Sequence, residues 1–393
     1  RRLEKRGYFR LVGIAEPVAD CRNKALAEGR VDSLTPWFSN YEELYQADLG
    51  IDLVSIATPI PFHYEMTRDA LAKGFSVHLE KPPVPLIQQL SNLLTLDKKE
   101  SVSVGFQFIN SRVIQELKQW LIEGRAGRLH SIRAVGCWPR TDKYYARAEW
   151  AGRMLLEERP VFDGPATNAL AHLIHNILFL ASPEPEHFAM PQYLIGELYR
   201  ARRLESYDCA CMRGGFADGT DFAVGVAHCS RDEKAFQILV EGEHGHALVS
   251  ENGERLETSD GLKIHQPEST EALILKCYDR LAQTHLSGKM RTATRLADTL
   301  PYVRTTNALF LSSGGIHDLP TEFISQFGEK DDRGYHLENI SEAMEKLMRS
   351  GLTFFQTMPW ACADPVKIDL ASFDYLELSE PNPAAVRPSA VSL

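Results

Sequence analysis

Apolar positions in the first hundred residues fall into short continuous runs separated by helical stretches. IDLVSIA from Ile51, FSVHL from Phe75 and the run from Val102 to Phe106 are rich in β-branched residues, the pattern of strands buried on both faces. Between the first two, Met66, Ala70 and Leu71 share one side of a helix that closes at Gly74, and a further helix is predicted over Pro85 to Lys98. Earlier, Tyr8 to Ala15 (YFRLVGIA) predicts a strand behind a helix tail in RRLEKRG. Pro17 to Glu28 predicts a helix, and YEELYQAD another, capped by Asn40. Strands and helices alternating at this density predict a parallel, doubly wound α/β sheet over residues 1–108.

Past Asn110 the period changes. SRVIQELKQWLIEGRAG is an amphipathic helix ending in glycine. From Leu129 the runs LHSIRAVGCW, YLIGELYRARR, YDCACMRGGF, DFAVGVAHCS, AFQILVEG and HALVS follow one another, with hairpin-type turns in GGFADGTD and ENGER. They predict a large, mainly antiparallel sheet, one face covered and one open for contact. Helices are predicted over Ala166 to Ala181, Thr270 to Leu286 and Thr292 to Leu311, so residues 109–317 read as an α+β domain. Residues 318–393 form an extension with few sheet signals, containing the helix NISEAMEKLMRSG and a Pro-rich end, SEPNPAAVRPSAVSL, expected to be a loose tail.

Composition narrows the partners. The 393 residues allow two domains with full cores, and 44% hydrophobic with 24% charged content is that of an ordinary soluble protein. A net charge of −10 argues against nucleic acid. The most apolar helix, Ala166 to Ala181, is interrupted by His172 and His175 and is too short to span a bilayer; RRLEKRG opens no signal pattern. Seven scattered cysteines do not form a disulfide framework, and the lone C-x-C of Cys209 and Cys211 has no second pair, so no metal site is expected. The expected setting is reducing and cytoplasmic.

Candidate chemistry lies in two places. Glu80 and Lys81 stand at the carboxyl end of a parallel strand, where open sheets bind ligands; a surface ion pair is the competing account. Glu16 directly follows the Tyr8 to Ala15 strand, where an acid accepts hydrogen bonds from an adenosine ribose and repels a phosphate on it, favouring NAD over NADP; it is otherwise a turn acid. The first strand and Gly-rich turn that seat a pyrophosphate are not found ahead of Glu16. Gly214-Gly215 and Gly314-Gly315 lie outside any strand-turn-helix context. The chain is therefore expected either to continue upstream of Arg1 or to have lost its phosphate cradle. In the second domain, Asn168, His172 and His175 fall on one helical face, either as satisfied core groups or as a site facing a cleft. His172 and His175 lack a third metal ligand. Arg140, Tyr144, Tyr145, Trp150 and Arg153 are equally a sugar- or acid-binding wall and packing residues.

Through ATPIPFH, ALAKGFSVHLEKPP, VGFQF, the helix ending EGRAGRL, and NALAHLIH, the chain resembles the glucose-fructose oxidoreductase, inositol dehydrogenase and rhizopine catabolism (Gfo/Idh/MocA) family. The resemblance covers most of Leu11 to about His317. It implies a Rossmann domain that binds a nicotinamide cofactor and an antiparallel-sheet domain used for homo-oligomer contacts. It further implies Lys81 and His172 as catalytic residues, with Thr58, Pro59, His63, Glu80 and Gln107 lining the cofactor. The family usually has Asp where this chain has Asn168, and an acid where it has His175. The activity implied is NAD-dependent oxidation of a hydroxyl carbon in a sugar, polyol or sugar acid. In this scheme His172 is the base, Lys81 holds the oxygen and Asn168 orients the substrate. Arg140, Tyr145, Trp150 and His175 are the candidates for substrate contact. An NAD-dependent glycosidase and a non-catalytic sugar or nucleotide sensor are the competing functions.

Overall fold

The computed structural model describes residues 2–287, 294–330 and 332–377. Its first unit opens with two short parallel strands, Ile14–Ala15 (β1) and Trp37–Phe38 (β2), with Ala19–Ala27 (α1) between them and Tyr41–Gln46 (α2) following. Asn40 caps α2 as its sequence position predicts, accepting the Glu43 backbone N–H at 2.8 Å. Leu53–Ile56 (β3), Ser76–Leu79 (β4) and Val102–Val104 (β5) form a separate parallel sheet in that order, connected by His63–Ala72 (α3) and Ile87–Leu96 (α4). Val54, Ile56, Val77, Leu79, Val102 and Val104 are all buried, as a sheet covered on both faces requires.

The strand expected over Tyr8 to Ala15 forms only at its end. β1 and β3 belong to different sheets, and Gly7–Val18 and Gly50–Pro59 line a cavity of about 1410 Å³. A strand persists only where a neighbour takes its backbone donors and acceptors, and residues 2–13 have no ladder partner among the described residues. The expected helix tail in RRLEKRG is a single tight turn, Glu4–Arg6, closed by Gly7 at φ 78°.

Arg112–Ile122 (α5) buries Val113, Ile114, Leu117 and Trp120 and leads into a ten-stranded sheet. Leu129–Cys137 (β6) is followed by Asp142–Ala146 (α6), the small hairpin Leu155–Leu156 (β7) and Arg159–Pro160 (β8), and Ala171–Ala181 (α7). The sheet then continues with Tyr193–Arg200 (β9), Cys209–Gly215 (β10), Asp221–Ala227 (β11) and Lys234–Gly242 (β12). His246–Ser250 (β13), Arg255–Thr258 (β14) and Lys263–His265 (β15) extend it. After Thr270–Ser287 (α8) and Leu300–Ser313 (α9) comes the short strand His317–Asp318 (β16), giving the order β15-β14-β13-β12-β6-β11-β10-β9-β16. Only the β6–β11 and β9–β16 pairings are parallel, so the antiparallel expectation holds with those two exceptions. Helices α5, α7 and α9 cover one face.

Two predicted helices differ from expectation. Ala166 to Ala181 is not one helix: Pro165–Ala169 winds as a wide π turn, and Leu170 leaves helical geometry at φ −107° before α7 begins. The helix expected over Thr292 to Leu311 starts at Leu300, and Thr292 lies outside the described residues. Residues 294–296 instead run along the edge of the first sheet. The Val104 N–H donates to Thr294 O at 2.9 Å and the Leu296 N–H to Val102 O at 3.1 Å, an edge pairing that competes with helix. On α9, Asn307 accepts the Ile87 N–H and donates to Pro85 O, both at 2.8 Å, which ties this helix to the start of α4.

The face expected to stay open is covered in its middle by the chain's own extension. The hairpin Ile324–Glu329 (β17) and Asp332–Leu337 (β18) precedes Ile340–Ser350 (α10) and Phe354–Thr357 (α11), and Ile368–Asp369 (β19) returns to pair with β9. Ile340, Ala343, Met344 and Leu347 recur at helical spacing, and with Phe354, Met358 and Trp360 they form one buried cluster with Val135, Cys137, Tyr199, Cys209, Cys211 and Ala223 of the sheet. Gly225 permits the approach, because a Cβ there would meet Met344 Sδ at 2.7 Å. The Pro-rich end SEPNPAAVRPSAVSL lies outside the described residues. Among the described residues no helix is long and apolar enough to cross a membrane.

Leu347→Ala is expected to destabilise the protein by about 2–5 kcal/mol, the usual cost of emptying a packed leucine site, read as a lower urea midpoint. Arg349→Ala, with its side chain in solvent, is expected to move it by no more than about 0.5 kcal/mol. Equal responses would contradict the packing of α10 on the sheet.

Candidate active site

Strands β3, β4 and β5 end at one edge, and the loops beyond them carry Thr58, the Glu80-Lys81 pair and Gln107. His63 stitches the first two loops together. Its Nδ1 lies 2.9 Å from Pro82 O and its Nε2 2.9 Å from Thr58 O, and burial lowers its pKa. It therefore stands behind the loops expected to line a cofactor. Beside it, Glu80 is drawn under β5: a Cβ on Gly105 would sit 3.3 Å from its carboxylate, so glycine leaves the room that side chain uses. Burial raises the Glu80 pKa, and the neighbouring Lys81 charge opposes the shift.

Lys81 reaches across to the second domain. Its Nζ donates to Asn168 O at 2.7 Å and to Asn168 Oδ1 at 2.9 Å. Asn168 Nδ2 in turn donates to Asp163 Oδ1 at 2.8 Å, while Asp163 Oδ2 accepts the Gly152 N–H at 2.7 Å. The result is a chain from ammonium through amide to a buried carboxylate. Burial lowers the Lys81 pKa to about 8; the charges of Glu80 and Asp163 oppose the drop, and that of Arg147 adds to it. Burial raises the Asp163 pKa against two hydrogen bonds and the charges of Arg147 and Lys81.

His172 lies on the first turn of α7, 6% exposed, edge-on to the rings of Phe108 at 4.6 Å and Phe106 at 5.6 Å. Its Nδ1 is buried without a partner. Burial first, then the Lys81 charge, holds its pKa well below 6.5, so the ring is a neutral base.

The structure thus brings Lys81, Asn168 and His172 to one place, although the π turn means Asn168 and His172 do not share a regular helical face. His175, expected at the substrate, is not there: it is fully buried, stacked on Phe106 with ring centroids 3.9 Å apart. Tyr145 packs beneath the Arg202 guanidinium, 4.6 Å from its ring centre, with its hydroxyl buried. Arg140 and Trp150 lie in one aromatic-cationic layer with Tyr144. Arg153 contributes its carbonyl to the Asp163 N–H. Gln107 is buried with Oε1 unpartnered. Glu16 stands at the end of β1, its Oε1 accepting the Val18 N–H at 3.0 Å, and lines the same cavity as Thr58 and Pro59. Among the described residues no group of three or more His, Cys, Asp or Glu side chains is placed to hold a metal ion.

Sequence reasoning missed Asp163 and Arg147. For Asp163 a signal existed, since it precedes the Gly164-Pro165 pair that opens the site turn. Arg147 sat unremarked between Tyr144 and Trp150, both already marked as wall residues; its guanidinium is 3.6 Å from the Tyr144 ring centre and 4.9 Å from that of Trp150.

Competitive acetylation should find Lys81 titrating near pH 8 and not near the ordinary lysine value of 10.5. Asn168→Asp should raise that midpoint, because a carboxylate beside Nζ favours the charged form. Since the folded pKa lies below the unfolded one, the unfolded state binds more protons between about pH 8 and 10.5, and Lys81 makes stability rise with pH across that window. A labelling midpoint at the ordinary value contradicts the burial of this amine.

Residues 4–108 match an oxidoreductase family described by its NAD-binding Rossmann fold, GFO_IDH_MocA. An uncharacterized oxidoreductase of Synechocystis sp. is 29% identical over 177 residues, which are 41% of this chain and 47% of that protein, so the likeness spans about half of the curated relative. The WlbA dehydrogenase from Bordetella pertussis, solved with NADH and UDP-GlcNAcA, superposes with a TM-score of 0.64 at 20% identity, over 77% of this chain and 88% of its own. A levoglucosan dehydrogenase solved with NADH and levoglucosan does so with a TM-score of 0.66 at 15% identity, over 77% and 88%. At such identities these two structures share the fold. Residues 4–108 thus match the NAD-binding Rossmann domain of the Gfo/Idh/MocA oxidoreductase family, and the chain as a whole shares the fold of these dehydrogenases.

Proposed function

We propose that the protein is an NAD-dependent dehydrogenase acting on the CH–OH group of a sugar, polyol or sugar acid. The observation that carries this is the hydrogen-bonded chain Lys81–Asn168–Asp163, with neutral His172 beside it, at the carboxyl edge of a Rossmann sheet. The cofactor's two ends have fitting residues. Glu16 would take the adenosine ribose hydroxyls, favouring NAD over NADP, and Thr58, Pro59, Glu80 and the unpartnered Gln107 Oε1 would line the nicotinamide end. When bound, the nicotinamide supplies the hydride acceptor.

The protein's own residues handle the oxygen and the proton. An ammonium has three donors, and Lys81 spends two on Asn168, leaving the third for a substrate hydroxyl. It stabilises the negative charge that grows on that oxygen as the proton leaves, and His172 accepts the proton. Asn168 cannot ionise, so it positions Lys81 while Asp163 behind it supplies the anionic charge. This speaks against one of the two grounds for a non-catalytic sensor, the asparagine at position 168; the other, the Gly-rich turn not found ahead of Glu16, is untouched by it.

Seven free cysteines fit a reducing, cytoplasmic setting. Contact between copies falls on β12–β15, outside the cluster formed by the carboxy-terminal layer, where the directly paired Leu239 and Leu248 are half-buried.

Lys81→Ala is expected to lower kcat by about 10²- to 10⁴-fold in an assay of nicotinamide reduction. Because Lys81 acts protonated and His172 neutral, kcat/KM should fall as pH rises through about 8 and hold on the acid side to well below 6.5. Asp163→Asn should move the basic limb to lower pH, since losing an anion lowers the lysine pKa. Substrate turnover without net NADH formation would support a glycosidase and contradict this proposal.

A further inference from the structure

We propose that the substrate carries a carboxylate held by Arg147 and Arg140, so that the site takes a sugar acid in preference to the matching neutral sugar or polyol. The chemistry of turnover rests on the dehydrogenase reading above; the binding does not.

Both guanidiniums are gathered on one ring. Arg147 lies 3.6 Å and Arg140 4.7 Å from the centre of Tyr144. Ring faces attract cations, yet two like charges on one ring repel each other, and although solvent screens the exposed Arg147, an anion between the two would turn that repulsion into attraction. Among the described residues neither arginine has a carboxylate within ion-pair distance. Arg147 donates to Tyr144 O; Arg140 donates to Pro139 O and bonds the Tyr144 side chain, while its Nε is buried with no hydrogen-bond partner. The acids of this neighbourhood are already engaged. Asp142 pairs with Arg202 and Arg333, Asp332 with Lys143, and both oxygens of Asp163 are taken by Asn168 and Gly152. Arg202, in the same layer, differs in having a carboxylate: it is buried, ion-paired with Asp142, and donates to Arg140 O and Arg333 O, although its Nε likewise makes no hydrogen bond.

Arg147 is also in the right place, and Arg140 joins it through the shared Tyr144 ring. The segment from Trp150 is pinned to the site by three backbone donors: Arg153 N–H to Trp150 O, Asp163 N–H to Arg153 O, and Gly152 N–H to Asp163 Oδ2. The Arg147 charge is felt at both Lys81 and Asp163, lowering the pKa of each. A planar guanidinium matches a carboxylate through two parallel hydrogen bonds, which no neutral hydroxyl can do. With Lys81 holding the reacting hydroxyl, two further cations on the wall select an anion at the substrate's other end.

The test uses the whole protein with NAD and two acids, D-gluconate and D-glucuronate, against D-glucitol and D-glucose. Binding is read by calorimetry and turnover by nicotinamide reduction. At least one acid should bind about tenfold or more tightly than its neutral counterpart. Arg147→Gln should lose about 10- to 100-fold of that affinity, and Arg147→Lys should recover part of it. Thermal midpoints of the variants check folding, and Arg140→Gln gives an independent second variant. No preference for acids, no acid bound, or a preference that survives both glutamine variants overturns the inference. Acids that bind with the expected arginine dependence but are never oxidised leave it standing and count against the dehydrogenase. Oxidation of neutral polyols without acid preference does the reverse.

Discussion

The site depends on keeping one lysine ammonium out of water and still charged. Taking an amine into a protein interior favours its neutral form, and Lys81 is pushed to about 8 by that effect. What opposes a further fall is first the charge of neighbouring Glu80, and then an anion that never touches the lysine, Asp163. Asp163 acts through the Asn168 amide, which hands the lysine two oxygen acceptors and passes its own N–H to the carboxylate. An asparagine in this place is therefore an insulated connection between the charges. The ion pair is stretched across a neutral spacer, which keeps Lys81 close to the pH range in which an alcohol's proton must be managed.

The fold is built around holding that spacer. Asn168 sits in a wide turn between Gly164 and Leu170, not in the helix it precedes, and its backbone carbonyl accepts from Lys81 as well as facing the Leu170 N–H. His63 fixes the loop bearing Lys81 to the loop after β3, and Gly105 makes room for Glu80. Packing from further away supports these loops: Asn307 on α9 clamps the start of α4, and residues 294–296 close the edge of β5. The carboxy-terminal layer, by covering the far face of the antiparallel sheet, makes the sheet a buried wall behind the site.

What the sequence made legible follows from locality. Strands β3 to β5, the helix stop at Gly74, the Asn40 cap and the position of Lys81 all rest on residues within a few places of one another. The pairing of Lys81 with Asn168 spans 87 residues, and only the family resemblance pointed to it. The π turn offsets Asn168 from the face of α7, while His172 and His175 keep regular helical spacing; one turn deeper along α7, the His175 ring is fully buried against Phe106, which spacing alone does not reveal. Asp163 carries no periodic signal of its role, because it lies before the helix whose periodicity marks Asn168 and His172. The covered sheet face was invisible for a different reason: α10 carries a clear apolar stripe, but nothing local says which sheet it will meet.

In the proposed mechanism Asp163 adds, through Asn168, to the charge by which Glu80 keeps Lys81 protonated. The most direct measurement is kcat/KM of a protein in which the two side chains exchange places, Asp163→Asn with Asn168→Asp, beside Asp163→Asn alone. A drop in the single variant that the exchange largely restores is the predicted result. If Asp163→Asn has no effect, or if the exchanged protein is folded and as inactive as the single variant, the carboxylate's role is other than the one described.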